Sequence, residues 1–190
     1  MKTSRLLLAT GLFALCAGVL LSARAARADG AFDKAKWIWF DEGDPVAEAP
    51  AATRYFLRAF TVENKTVKAA TLTITCDNKY EAWLNGKQVG TGEDWQKAQA
   101  YDVKEALAKG DNVLAVAGTN EDGPAGLIAV LKIEFEAGDP QYVATDKDWK
   151  AHNEKADGWE KPGFDAKDFK LVKVIGDYGM DPWGNQIEMP

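Results

Sequence analysis

The fold is decided by CDNKYEAWLNGKQVG, residues 76–90. Tyr80-Glu81-Ala82-Trp83-Leu84 and Lys87-Gln88-Val89-Gly90 are strand-like runs, and Asn85-Gly86 stands between them. Both residues tolerate positive φ, so the pair closes a tight two-residue β-hairpin. Upstream, Leu72, Ile74 and Cys76 alternate with Thr71, Thr73 and Thr75. That period of two marks a half-buried strand and places Cys76 on its apolar face as a small core residue.

The same texture extends outward. Trp37-Ile38-Trp39-Phe40 and the aromatic, β-branched run of residues 53–62 read as strands, as do residues 113–117. Leu127, Ala129, Leu131, Ile133 and Phe135 form one apolar face of a long strand, with Lys132, Glu134 and Glu136 on its wet side. Residues 102–107 read as one or two helical turns, with Asp102 capping the start and Gly110 following the end. Phe32-Asp33-Lys34-Ala35-Lys36-Trp37, Phe164-Asp165-Ala166-Lys167-Asp168-Phe169 and, more loosely, residues 145–149 are similar turns that deliver an aromatic residue to the core. Short strands at regular spacing, with no alternation of strand and long helix, predict an all-β sandwich or barrel rather than a parallel α/β sheet.

The first 28 residues read as an export signal. Lys2 and Arg5 precede an apolar run over residues 6–21, and Ala26-Arg27-Ala28 fits cleavage before Asp29, with Ala23-Arg24-Ala25 a second candidate. The run is short for a membrane span. Cys16 follows bulky Leu15, which argues against a lipoprotein. Cleavage removes four of 23 cations and none of 29 acids, which takes the net charge from −6 to −10 over 162 remaining residues. So acidic a chain is unsuited to nucleic acid or to anionic membrane surfaces. The expectation is an exported protein, periplasmic or extracellular and off the membrane after cleavage. Residues 29–184 form its domain and residues 185–190 a C-terminal tail, with fraying from Met180 on except where Trp183 pins it. One thiol, Cys76, remains, so no internal disulfide is available.

The order of these features resembles the galactose-binding-like jelly-roll domains that accompany bacterial α-L-rhamnosidases and related glycosidases. Trp37-Ile38-Trp39 resembles the opening strand, and Arg54-Tyr55-Phe56-Leu57-Arg58-Ala59-Phe60 the second. Residues 76–90 resemble the Ala-Asp-Asn-x-Tyr-x-x-Tyr-Leu-Asn-Gly-x-x-Val-Gly signature. Tyr101-Asp102-Val103, residues 110–116, residues 123–127, Thr145-Asp146 with Trp149-Lys150, and Phe164-Asp165 follow in order, so the resemblance covers residues 35–184. It implies an all-β jelly-roll β-sandwich with one short helix. It also implies loops converging at one end, in a fold that binds sugar in some members and is scaffolding in others.

Sugar binding needs aromatic faces together with amide and carboxylate groups. Asp77-Asn78 at a strand end, Trp95 in the Gly-Glu-Asp-Trp-Gln loop and Asn120-Glu121 before Gly123-Pro124 supply these groups. The competing readings are an Asp-Asn pair bonding its own backbone and a Trp95 plugging the core. Trp37, Trp39 and Trp83 lie in strands and read as core. Asp41, Glu42 and Asp44 crowd one turn and could hold a structural calcium through hard oxygen ligands, or form a solvated acidic loop. His152, the single histidine, sits in a polar stretch and reads as a solvated surface residue. No Gly-x-Ser-x-Gly or marked carboxylate pair is present. The expected function is therefore a non-catalytic carbohydrate-binding module whose partner is a glycan or polysaccharide. The alternatives are a scaffold for another exported protein and a stand-alone relic of a glycosidase accessory domain.

Overall fold

The computed structural model describes residues 30–190, and the stretch read as an export signal, residues 1–28, lies outside them. The described residues form two antiparallel sheets packed face to face. One sheet runs β12 (Lys173–Asp177), β1 (Lys36–Trp39), β8 (Gly126–Phe135), β3 (Val67–Asp77), β6 (Gln99–Asp102), with β9 (Gln141–Ala144) also pairing to β8. The other runs β11 (Lys170–Leu171), β10 (Lys150–His152), β2 (Ala52–Val62), β7 (Gly110–Asn120), β4 (Lys79–Leu84), β5 (Lys87–Gly92). This is a jelly-roll β-sandwich. Among the described residues no helix is long and apolar enough to cross a membrane.

The hairpin forms as the sequence dictates. Asn85 and Gly86 take φ of 55° and 81° between β4 and β5. The Asn85 side chain also ties the turn to the body: its Nδ2 donates to Ala106 O at 2.9 Å, and its Oδ1 accepts from Val113 N at 2.9 Å. The helical stretch is a single 3₁₀ turn, Lys104–Ala106. Asp102 lies one residue too early to cap it, and instead accepts from Lys104 N–H at 3.1 Å.

The core lies between the sheets. Leu72, Ile74 and Cys76 of β3, with Leu127, Leu131 and Ile133 of β8, meet Phe56, Ala82 and Val116. The recurrent aromatic turns deliver as expected: Trp37 and Trp149 are completely buried and Phe169 nearly so. The wet face expected for β8 is only partly wet. Ile128 and Val130, on its outer side, are buried in a second cluster with Phe32, Trp37, Trp183 and Ile187. The C-terminal residues are therefore packed, not frayed. Ile187 is buried and Glu188 N donates to Gln96 O. A third cluster covers the outer face of the other sheet, where Trp159 and Phe169 lie on Leu57, Val113 and Ala115. The sandwich is thus flanked on both outer faces by irregular segments carrying aromatic plugs.

Trp37 and Trp183 stack at 4.1 Å and 22°. Gly126 makes the stack possible, because a Cβ there would lie 2.7 Å from the Trp183 ring and 2.8 Å from the Trp37 ring. Gly126→Ala is expected to lower stability by about 1–3 kcal/mol, the range for overpacking a close-packed interior. Urea unfolding checks the loss, and near-UV circular dichroism reports the disturbed tryptophan pair.

Candidate functional site

At one pole of the sandwich the β1–β2 loop, the β3–β4 connection and the β7–β8 loop come together. Asp77 ends β3 and Asn78 follows through a cis peptide. Asn78 N donates to Thr119 O at 2.9 Å, and Asn78 Oδ1 accepts from Glu121 N at 2.7 Å. These two bonds clamp the β3–β4 connection to the end of β7. They use the amide oxygen of Asn78 and leave its Nδ2 donor without a partner among the described residues. Beside it, exposed Glu121 pairs with Lys79 at 2.5 Å, which raises the lysine pKa above its ordinary value. Glu121 and Asp122 also line a cleft of about 540 Å³ with Glu42, Glu48, Ala49 and Pro50.

Two of the residues expected here turn inward. Asp77 is buried under the C-terminal segment, where its Oδ2 accepts from Trp183 Nε1 at 2.9 Å. Burial pushes its carboxyl up to about 6; the Trp183 bond opposes the shift and the charge of Asp122 adds to it. Asn120 is 1% exposed and holds the β1–β2 loop, donating from Nδ2 to Ala49 O at 3.0 Å. Its Oδ1 is buried with no hydrogen-bond partner among the described residues. Trp95 is half-buried against the Trp37–Trp183 cluster, and its carbonyl accepts from Thr75 Oγ1 at 2.8 Å. It is therefore largely a plug over the outer face of the first sheet. The structure thus brings together Asn78 and Glu121 at the surface, with Asp77 and Asn120 behind them. Trp183 and Lys79, which complete the arrangement, carry no local motif. They are legible only once the C-terminus and the Glu121 loop are placed.

Other expectations change as well. In the turn of Asp41, Glu42 and Asp44, Glu42 accepts from Arg54 with both oxygens, from Nε at Oε1 at 2.7 Å and from Nη2 at Oε2 at 2.6 Å. Asp44 Oδ1 accepts from Val46 N at 3.2 Å. No group of three or more acidic, histidine or cysteine side chains among the described residues is gathered as a metal cage. His152 is half-buried in β10 and stacks on Phe169 at 5.2 Å, because β10 joins the sheet beside β2. Trp39 lies in the core between the sheets and Trp37 is buried in the cluster on the outer face of the first sheet, while Trp83 points to the outer face of the other sheet and is only half-buried.

Comparison with known proteins agrees with this architecture. The α-L-rhamnosidase N-terminal domain model matches residues 65–157. This is a galactose-binding-like domain of the rhamnosidase-associated type. An α-L-rhamnosidase of Streptomyces avermitilis is 38% identical over 156 residues, which are 78% of this chain and 15% of that enzyme. The crystal structure of a Streptomyces avermitilis α-L-rhamnosidase complexed with L-rhamnose superposes with a TM-score of 0.77 at 35% identity, over 82% of this chain and 16% of that one. The Pleurotus ostreatus lectin in complex with GalNAc gives 0.75 at 32% identity, over 83% of this chain and 46% of the lectin chain. The chain thus spans a small part of the enzymes it matches. The part of those enzymes that it matches is of the N-terminal, accessory-domain type.

The raised carboxyl has a thermodynamic consequence. Folded Asp77 holds its proton to a higher pH than the unfolded chain does, so its contribution to stability is greatest at low pH. That contribution falls as pH rises from about 4 to about 6. Asp77→Asn is expected to flatten this part of the stability profile, measured by urea denaturation at pH 4, 5, 6 and 7.

Proposed function

We propose that the protein is an exported, non-catalytic carbohydrate-binding module that takes a saccharide at the pole built by Asp77, Asn78, Asn120 and Glu121. The observation that carries the reading is the Asn78 side chain. Its oxygen is fixed by Glu121 N–H, so its Nδ2 is held in one orientation with its donor capacity unspent. A sugar hydroxyl accepts from such an amide and donates to a carboxylate, and Glu121 offers one at the same edge. Because the donor is already oriented, little side-chain entropy is lost on binding. Support from relatives is of the same kind: one related structure holds L-rhamnose and another holds GalNAc.

A hard cation at the pole is a second element of this reading. The Asp77 carboxyl is buried and raised by desolvation and by Asp122, and the Asn120 Oδ1 is a buried acceptor without a partner. Calcium takes carboxylate, amide and carbonyl oxygens. Asp77 and Asn120 would hold it, and it would supply positive charge to attract sugar hydroxyls.

Asn78→Ala is expected to weaken binding of L-rhamnose or N-acetylgalactosamine about tenfold, which is about 1.4 kcal/mol, and to lower the melting temperature modestly through the lost bond to Glu121 N–H. Isothermal titration calorimetry against both sugars checks this, and equal affinity in the variant would refute the assignment. Calcium is expected to raise the melting temperature of the native chain but not of Asn120→Ala. An identical calcium response in the two proteins would remove the cation from the reading.

A further inference from the structure

We propose that the outer face of the second sheet holds a second saccharide-binding cleft, separate from the pole, in which neutral sugar rings lie against Tyr55 and Trp83. Strand alternation puts both residues there. Phe56 and Ala82 face the core, so Tyr55 of β2 and Trp83 of β4 face outward, on either side of β7. The segment that covers this face brings in Trp159, which is 1% exposed. Tyr55 meets it edge-on at 5.4 Å and 74°, and Trp83 at 5.6 Å and 73°. Contact with one fully buried ring fixes both half-buried rings in place. The space beside them is a cleft of about 510 Å³ lined also by Glu81, Gln88 and Lys155.

The chemistry of the lining selects the ligand class. Sugar rings present C–H faces that pack on aromatic rings and hydroxyl edges that need both donors and acceptors. Gln88 Nε2 donates to Glu81 Oε2 at 3.3 Å, so an amide and a carboxylate stand paired at the rim. The Tyr55 hydroxyl and the Trp83 Nε1 carry no hydrogen bond among the described residues, which leaves two further polar handles at the rings. Lysine and glutamate line the same cleft, so neither an anion nor a cation is favoured over a neutral polyol. A protein-docking core is depleted in these very residues. Lys79 also lines the cleft while pairing with Glu121 at the pole. The two sites are therefore neighbours along one edge, a placement that suits successive parts of one glycan chain.

The full chain, labelled with ¹⁵N, is titrated with L-rhamnose, with N-acetylgalactosamine and with neutral L-rhamnose oligosaccharides while the indole N–H signals are followed. Trp83→Phe assigns the Trp83 signal. The expected result is a Trp83 shift that persists in Asn78→Ala, where the pole is disabled. Trp83→Ala is expected to weaken this second binding event about tenfold. Gln88→Ala, an exposed change that spares the fold, is expected to weaken it about threefold. A Trp83 signal unmoved by all three ligands overturns the proposal. So does a shift that vanishes with Asn78→Ala, since the cleft would then only report the pole.

Discussion

The hydrogen bond from Trp183 Nε1 to Asp77 Oδ2 ties the C-terminal segment to the end of β3. It joins residues 106 positions apart and is buried. On one side it anchors the C-terminal segment, whose Trp183 ring stacks on Trp37 and whose Ile187 completes the outer cluster. On the other it holds the last residue of β3, and through it the Asp77–Asn78 connection that faces the solvent. A buried carboxyl left without such a donor would carry its full desolvation penalty. The same bond thus makes the acidic residue tolerable and makes the C-terminus part of the domain.

The two sheets solve the problem of their outer faces differently, and the difference places the surfaces available for binding. The outer face of the first sheet carries Trp37, Ile128 and Val130, so it must be covered, and chain from both ends of the described region does this with Phe32 and Trp183. Trp95 adds a lid from the loop after β5. The outer face of the second sheet is more mixed: Leu57, Val113 and Ala115 lie toward one end, and Thr53, Glu81 and Thr119 toward the other. One irregular segment with Trp159 and Phe169 suffices to cover its apolar part. The polar remainder stays open, bordered by the sides of the rings that the cover holds in place.

How far the sequence could reveal this depended on whether the deciding interaction was local. Asn85-Gly86 needs only its own backbone, and the alternation of residues 71–76 needs only a single half-buried face, so both were readable. The β8 strand was readable on its inner face but not its outer one. Ile128 and Val130 look like interruptions of the polar side until Phe32 and Trp183 arrive from distant parts of the chain. The same distance effect governs the pole. Asp77-Asn78 was recognisable as a polar strand end, and Asn78 does face outward there. Period two alone would not show that Asp77 lies beneath Trp183, or that Asn120 is spent on the β1–β2 loop. The acidic turn shows the same distance effect: Arg54, more than ten residues downstream, donates to both oxygens of Glu42.

A carboxyl raised to about 6 is what general acid catalysts use, so Asp77 bears on whether this domain does chemistry. Its setting differs from that of a glycosidase acid. Glycoside hydrolysis requires two carboxyl groups facing each other across the scissile bond, roughly 5–9.5 Å apart, with the acid able to reach the leaving oxygen. Asp77 is buried and one of its oxygens is held by an indole. Asp122, whose charge contributes to the shift, is exposed on a loop that lines the acidic cleft instead of standing opposite Asp77 across an aromatic-walled groove. The raised value follows from desolvation first, a consequence of packing Trp183 over the strand end. The polar groups left at the surface, the Asn78 amide and the Glu121 carboxylate, are positioned by backbone bonds and an ion pair. Such groups can donate to and accept from hydroxyls, which is what the proposed saccharide site requires of them.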